Sequence, residues 1–142
     1  GIYMIIPLVV LRQLDALKRS PDPEKAFNAR WASREIEYYM RSGELKIENS
    51  YIPLNILENP ADNKVVGTAL WLKREQYKRP WLVTTDINMR IAALSVGVDA
   101  VDEKYLRECI TVARLVSEKR MYLELKKELE KCRNKKESSA AG

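Results

Sequence analysis

The sequence of 142 residues contains no histidine and only two cysteines, Cys109 and Cys132. Without histidine, Ser-His-Asp catalysis, Cys-His catalysis and His-ligated zinc are all excluded. The two cysteines lie far apart in the chain, so they form neither a CxxC redox motif nor a four-cysteine zinc site. We expect both to be reduced and to lie on helices of a cytosolic protein. Catalysis by this chain would therefore rely on carboxylates and hydroxyls, assisted by a metal ion.

Long hydrophobic runs are also missing. No stretch approaches the roughly 18 apolar residues of a membrane span. The apolar run at residues 2–6 lacks the basic residues that begin a signal peptide. The net charge is +5, which suggests an anionic partner without identifying it. Most of the excess lies in residues 103–137, with eleven Lys and Arg against seven Asp and Glu, whereas residues 1–102 have fourteen against thirteen. We predict a cytoplasmic protein without a membrane partner.

The hydrophobic pattern predicts alternating strands and helices. Short apolar runs at residues 2–6 and 81–85 are typical of strands buried on both faces, as in a parallel sheet. Each of these runs is followed later in the chain by a shorter predicted strand. Along residues 2–101 the order of elements is strand, helix, helix, strand, helix, strand, helix, strand, which predicts an α/β domain with a parallel sheet flanked by helices. The remaining predicted elements are helices at residues 8–18, 24–42, 62–77 and 87–96, and strands at residues 45–47 and 98–101.

The C-terminal third predicts a helical extension. Residues 103–134 have helical spacing, broken near Ser117, which indicates two helices or one bent helix with Asp102 as the N-cap. The tail at residues 135–142 has no apolar residue that would anchor it, and we expect it to be disordered. The predicted domains are therefore residues 1–102, 103–134 and 135–142. An apolar stripe on the extension predicts packing on the domain or on a partner: Leu106, Ile110, Ala113, Leu115, Met121, Leu125 and Leu129.

Asp86 directly follows a predicted strand and precedes a predicted helix. Two interpretations are open, because an aspartate in this position commonly caps the helix and equally lies where α/β proteins bind ligands. Asp62 also opens a predicted helix, and both loops can reach one rim of the sheet. Carboxylates that converge at such a rim bind Mg²⁺ or Mn²⁺, since hard cations take oxygen ligands. A site of this kind supports phosphodiester hydrolysis without histidine.

Three blocks of the sequence resemble motifs of the PIN-domain nucleases. Residues 6–18, IPLVVLRQLDALK, are similar to the family's IPxxVLxELDxLK segment. Residues 59–66, NPADNKVV, are similar to its NDDRIL segment, and residues 82–98, LVTTDINMRIAALSVGV, to its LVTNDxNLRxKAxxxGI segment. Asn28-Ala29-Arg30 matches a frequent NAR in the helix between them. The resemblance covers residues 2–102 and is closest to the variety found beside ATPase domains and in RNA-decay factors.

The resemblance implies a PIN-like fold and a metal-dependent endoribonuclease that hydrolyses RNA phosphodiester bonds. In that family four acids usually surround one or two Mg²⁺ or Mn²⁺ ions, and the expected partner is RNA, preferentially single-stranded. Carried over position by position, the implied site consists of the catalytic metal ligands Asp62 and Asp86, the auxiliary ligands Asn88 and Gln13, and the substrate contacts Thr84, Thr85 and Arg90.

Two departures from the family pattern leave another function open. Gln13 stands where the family has a glutamate, which removes one negative charge from the implied site. The family's leading strand, which lies mid-sheet and ends in a catalytic aspartate, has no counterpart in these residues. We expect another segment or chain to occupy its position, since the sheet would otherwise leave backbone groups unpaired. The alternatives are a catalytically silent module that binds RNA or a protein, and an assembly protein that oligomerises through its C-terminal helices.

Three aromatic residues, Trp31, Tyr38 and Tyr39, recur at helical spacing between residues 24 and 42. Aromatic side chains stack on nucleic-acid bases, so these residues are candidates for RNA contacts. At this spacing, however, such residues more often pack in a core or an interface, and the pattern favours packing.

Overall fold

The structure is a computed structural model that describes residues 4–76 and 78–141, with side chains up to residue 135. The described residues form four strands and five helices, in the order that the sequence predicts. Residues 2 and 3 of the first predicted strand, Tyr77 and Gly142 lie outside the described part. The elements are β1 (Met4–Pro7), α1 (Leu8–Leu17), α2 (Pro23–Arg41), β2 (Leu45–Glu48), α3 (Pro60–Glu75), β3 (Trp81–Val83), α4 (Ile87–Ser95), β4 (Asp99–Val101) and α5 (Glu103–Ala141).

The strands form two parallel pairs. β1 pairs with β2, placing Met4 opposite Leu45, and β3 pairs with β4, placing Trp81 opposite Asp99. The parallel orientation confirms the predicted strand direction. The predicted burial of β1 and β3 on both faces is wrong, because Met4, Trp81 and Val83 are 45%, 47% and 40% exposed. Each of these strands has one neighbouring strand among the described residues, so part of its surface stays open.

Helix α3 packs against elements from both strand pairs. It contacts both β1 and β3, and it also packs against α1 and α4. Its inner face meets α4 and the residue that precedes β4, and these form the most buried part of the molecule. That cluster comprises Val66, Ala69, Leu70, Ala92, Ala93 and Val98.

Local signals in the sequence place the helix ends. Asp22 caps α2 by accepting a hydrogen bond of 3.0 Å from the Glu24 N–H, and Pro23 occupies the first turn. Gly43 and Gly97 follow α2 and α4 with φ of 79° and 82°, the left-handed conformation that ends helices. Both glycines are where the sequence predicts helix ends.

The chain divides into two compact units, the first ending at Val101 and the second beginning at Asp102. The second unit is the single helix α5, which takes the place of the two helices or bent helix that we expected. Asp102 accepts a hydrogen bond of 2.8 Å from the Tyr105 N–H, which confirms it as the N-cap. The helix continues through residues 135–141, where the composition predicts disorder. From residue 110 to residue 135 every side chain is exposed.

The described part of the chain contains five helices. None of them combines the length and the apolar composition that crossing a bilayer would need.

Candidate functional site

Asp86 forms the turn between β3 and α4. Its Oδ1 atom accepts hydrogen bonds from the backbone N–H groups of Asn88, at 2.9 Å, and Met89, at 3.3 Å. Asp86 is therefore the N-cap of α4. Its second oxygen, Oδ2, has no hydrogen bond or ion pair with any residue that the structure describes, and the side chain is exposed. Capping and ligand binding are thus compatible, because they use different oxygens of one carboxylate.

Thr84 and Arg90 hold this turn in place. The Thr84 hydroxyl oxygen accepts a hydrogen bond of 3.2 Å from the Asp86 N–H, and the Arg90 Nη1 atom donates to the Thr84 carbonyl at 2.8 Å. These bonds explain why β3 ends at Val83, two residues before the predicted end at Thr85. Thr84 and Arg90 are half-buried, whereas Thr85 is exposed. The predicted contacts of all three with substrate stay a prediction.

Asp62 lies in the first turn of α3. The helix begins at Pro60 and is capped by Asn59, whose side chain accepts a hydrogen bond of 2.9 Å from the Ala61 N–H. The prediction that Asp62 starts the helix is therefore wrong by two residues, because the Asn-Pro pair is the stronger start signal. The Asp62 carboxylate is half-buried and makes no hydrogen bond or ion pair within the described part of the chain. Both of its oxygens remain available to a ligand.

Asn63 fixes the segment that leads into this turn, a role that the sequence analysis missed. The side chain is 6% exposed. Its Oδ1 atom accepts from the N–H groups of Ile56, at 3.0 Å, and Leu57, at 2.8 Å, and its Nδ2 atom donates to the Leu57 carbonyl at 2.7 Å. The loop before α3 therefore bonds to the side chain next to Asp62. The only signal in the sequence is that Asn63 directly follows Asp62 in the NPADNKVV block.

A second contact ties the same loop to α3. The Ile52 N–H donates a hydrogen bond of 3.0 Å to the Gly67 carbonyl. A Cβ atom on Gly67 would lie 2.2 Å from the Ile52 carbonyl oxygen, so only glycine allows the loop backbone to come this close. Asn63 and Gly67 together determine where the loop lies relative to Asp62.

The auxiliary residues Gln13 and Asn88 are both exposed, on α1 and α4. Because α3 packs against both of these helices, the elements that carry Gln13, Asp62 and Asp86 belong to one packed unit. Within the described residues, however, no three Cys, Asp or Glu side chains come together in a way that would hold a metal ion. The structure thus places two carboxylates with free oxygens in one unit, without a cluster of three acids.

Two comparisons with known proteins bear on this unit. A protein-family model described as PIN domain matches residues 2–104. A search of curated proteins finds none that matches the chain. The matched range includes the first eight elements and the first two residues of α5, and it contains every residue of the candidate site.

Proposed function

Because the chain belongs to the PIN-domain family, whose fold is nuclease-like and whose members generally depend on a divalent metal, we propose that it is a metal-dependent endoribonuclease. The reaction would be hydrolysis of phosphodiester bonds in single-stranded RNA. The observation that carries the proposal is the free Oδ2 atom of Asp86, at the turn after β3. In parallel α/β folds, ligands bind beyond the carboxyl ends of the strands.

The donor atoms fit Mg²⁺ or Mn²⁺ in chemistry. Asp62 and Asp86 offer carboxylate oxygens that no described residue occupies, and Asn88 and Gln13 offer amide oxygens. Hard divalent cations prefer such oxygen ligands and need no histidine. Two carboxylates are fewer than the four acids that usually surround the metal in the family. The amide oxygens of Asn88 and Gln13 would therefore serve as further metal ligands. A bound divalent ion would activate a water molecule and offset the charge of the phosphate.

The residues around Asp86 would orient this site. Asp86 is held by the first turn of α4 through Oδ1, and Oδ2 has no partner among the described residues. Arg90 holds the Thr84 carbonyl and so keeps the turn closed while the carboxylate binds its ligand. The exposed Thr85 hydroxyl would donate to a phosphate oxygen of the substrate.

The experiment compares wild-type protein with Asp86→Asn on fluorescently labelled single-stranded RNA in the presence of Mn²⁺. Asn keeps the capping oxygen but loses the charge, so we expect cleavage by the wild type and none by the variant. Asp22→Asn is the matched control, because Asp22 caps α2 in the same manner and lies outside the candidate site. The control should cleave like the wild type. Equal cleavage by wild type and Asp86→Asn, or none by either, would contradict the proposal.

A second readout follows the metal directly. A ligand that binds only the folded state stabilises it, by about 2.7 kcal/mol at a hundredfold excess over its Kd. Mn²⁺ should therefore raise the midpoint of thermal unfolding of the wild type and of Asp22→Asn, but not that of Asp86→Asn. The same shift in all three proteins would place the metal elsewhere.

Two observations favour a different function, a catalytically silent module that binds RNA or a protein. The described residues contain no group of three acids that could hold a metal ion, and Gln13 stands where the family pattern has a glutamate. A silent module would show no cleavage by wild type and no thermal shift with Mn²⁺. The two assays together separate the two functions.

A further inference from the structure

Helix α2 carries three exposed aromatic side chains on one face. Phe27 and Trp31 are each 55% exposed, and Tyr38 is 66% exposed. At 3.6 residues per turn the three lie within about 40° of one another around the helix, and they extend about 16 Å along it. The buried residues Ala29 and Ile36 lie on the opposite side. The core packing that the spacing favours is therefore absent for Trp31 and Tyr38, which occupy the side where helices usually carry polar residues.

The ring of Tyr38 has a defined neighbour. It makes an edge-to-face contact with Tyr39, with ring centroids 5.2 Å apart and planes at 85°. Tyr39 is half-buried, so it supports Tyr38 from the side of the domain. Such a contact restrains the Tyr38 ring and lowers the entropy lost when a flat ligand stacks on it.

Three arginines accompany the aromatic face. Arg30, Arg34 and Arg41 all follow one of its edges at helical spacing. Arg41 is paired with Glu37 at 3.2 Å. Arg30 and Arg34 have no hydrogen bond or ion pair with any residue in the described part of the chain. Two guanidinium groups are thus available along this edge.

The acidic residues beside the aromatic face are arranged differently. Glu24 and Glu35 lie near the edge of the aromatic face that is opposite the arginines. Glu37 lies on the arginine side, where it forms an ion pair with Arg41. The face therefore has a cationic edge and an acidic edge, separated by a row of aromatic rings. A polyanion would be attracted to the first edge and kept from the second.

From this arrangement we propose that α2 binds single-stranded RNA, with bases stacked on Phe27, Trp31 and Tyr38 and phosphates along the arginine edge. Stacking on aromatic rings accepts any base, and arginine contributes both phosphate contacts and stacking. The row of aromatic rings would bind the bases of a nucleic-acid strand, and the neighbouring unpaired arginines would bind its phosphates. The inference deepens the proposed function, on which its substrate class rests, by naming a surface that holds the RNA outside the candidate active site.

The test measures binding of a fluorescein-labelled single-stranded RNA to the full chain by fluorescence anisotropy, in EDTA so that no cleavage occurs. Phe27→Ala, Trp31→Ala and Tyr38→Ala should each weaken binding by about fivefold or more, from the stacking contribution of one base. Tyr122→Ala is the matched control, since Tyr122 is 65% exposed on α5 and should leave the Kd unchanged. Circular dichroism of each variant verifies that the fold is kept.

A second measurement tests the arginine edge. Each phosphate contact on a single strand contributes about 0.7 to the slope of log affinity against log salt concentration. Arg34→Gln should weaken binding and reduce this slope by about that amount. Arg114→Gln removes an exposed arginine from α5 and should change neither.

The outcomes distinguish this inference from the proposed function. Wild-type affinity in all three aromatic variants, or no RNA binding by the wild type, would overturn the inference even if RNA is cleaved with Mn²⁺. Weakened binding in these variants supports it even if the wild type cleaves nothing, in which case only the proposed function fails. If light scattering shows a dimer that Trp31→Ala dissociates, the face joins two copies of the chain and the inference is wrong.

Discussion

Gly67→Ala reverses the usual effect of alanine in a helix. Because Gly67 lies within α3, helix propensity alone predicts a gain of about 1 kcal/mol. The new Cβ would lie 2.2 Å from the Ile52 carbonyl oxygen, which belongs to the backbone and has no side-chain torsion with which to move away. The loop would have to retreat by about 1.3 Å to restore an ordinary contact of ~3.5 Å. We expect a net destabilisation of about 1–3 kcal/mol, from overpacking and the weakened Ile52 N–H bond to Gly67.

The assay is equilibrium unfolding in urea followed by tryptophan fluorescence, since Trp71 lies half-buried on α3 itself. The urea concentration at the midpoint of unfolding should fall, while the slope of the unfolding free energy against urea concentration stays the same. An unchanged slope would show that the folded state is less stable and that the unfolded state is not altered. Arg74→Ala, at an exposed position of the same helix, is the control and should stay within about 0.5 kcal/mol of wild type. If Gly67→Ala is as stable as wild type or more stable, the loop backbone does not approach Gly67 closely enough to exclude a Cβ atom, and Gly67 does not position the loop.

Three further substitutions, at Asn63 and Asp86, test the side-chain hydrogen bonds of the candidate site. Asn63→Ala removes the partners of the Ile56 and Leu57 N–H groups and the Leu57 carbonyl, so we expect a loss of about 2–4 kcal/mol in urea unfolding after the small gain in helix propensity. A loss below about 0.5 kcal/mol would mean that water replaces these bonds freely. Asp86→Ala removes the cap of α4 and should cost about 1 kcal/mol, whereas Asp86→Asn keeps a capping oxygen and should cost a few tenths. Equal losses in the two variants would contradict the capping role.

The order of the elements could be predicted from the sequence because local chemistry sets it. The Asp22-Pro23 pair starts α2, and Gly43 ends it, within one residue of the predicted bounds. The same reasoning placed α4 between Asp86 and Gly97. Each of these signals acts through hydrogen bonds or torsion angles within a few residues, so the helix ends can be predicted from the local sequence alone.

The arrangement of the strands could be predicted only in part. Their parallel direction follows from the helices between them. Their burial does not, because it depends on how many neighbours each strand finds. The short apolar runs around β1 and β3 resemble those of central strands, yet in the described residues each has a single partner.

In the candidate site, too, the residues marked by neighbouring sequence could be predicted, and those whose partners lie in an irregular loop could not. The sequence identified Asp62 and Asp86, because each stands at a helix start beside a recognisable block. It could not identify Asn63 and Gly67 as the residues that position the loop, since their partners Ile52, Ile56 and Leu57 belong to a loop without a regular pattern.

The sequence by itself determined which residues of α2 share a face, because helical periodicity puts Phe27, Trp31 and Tyr38 on one side and Ala29 and Ile36 on the other. Only the tertiary structure decided which side is buried. Both faces are apolar, so the hydrophobic effect alone does not choose between them. The choice depends on close packing, and the smaller side chains allow α2 to approach its neighbours while the aromatic rings stay in solvent.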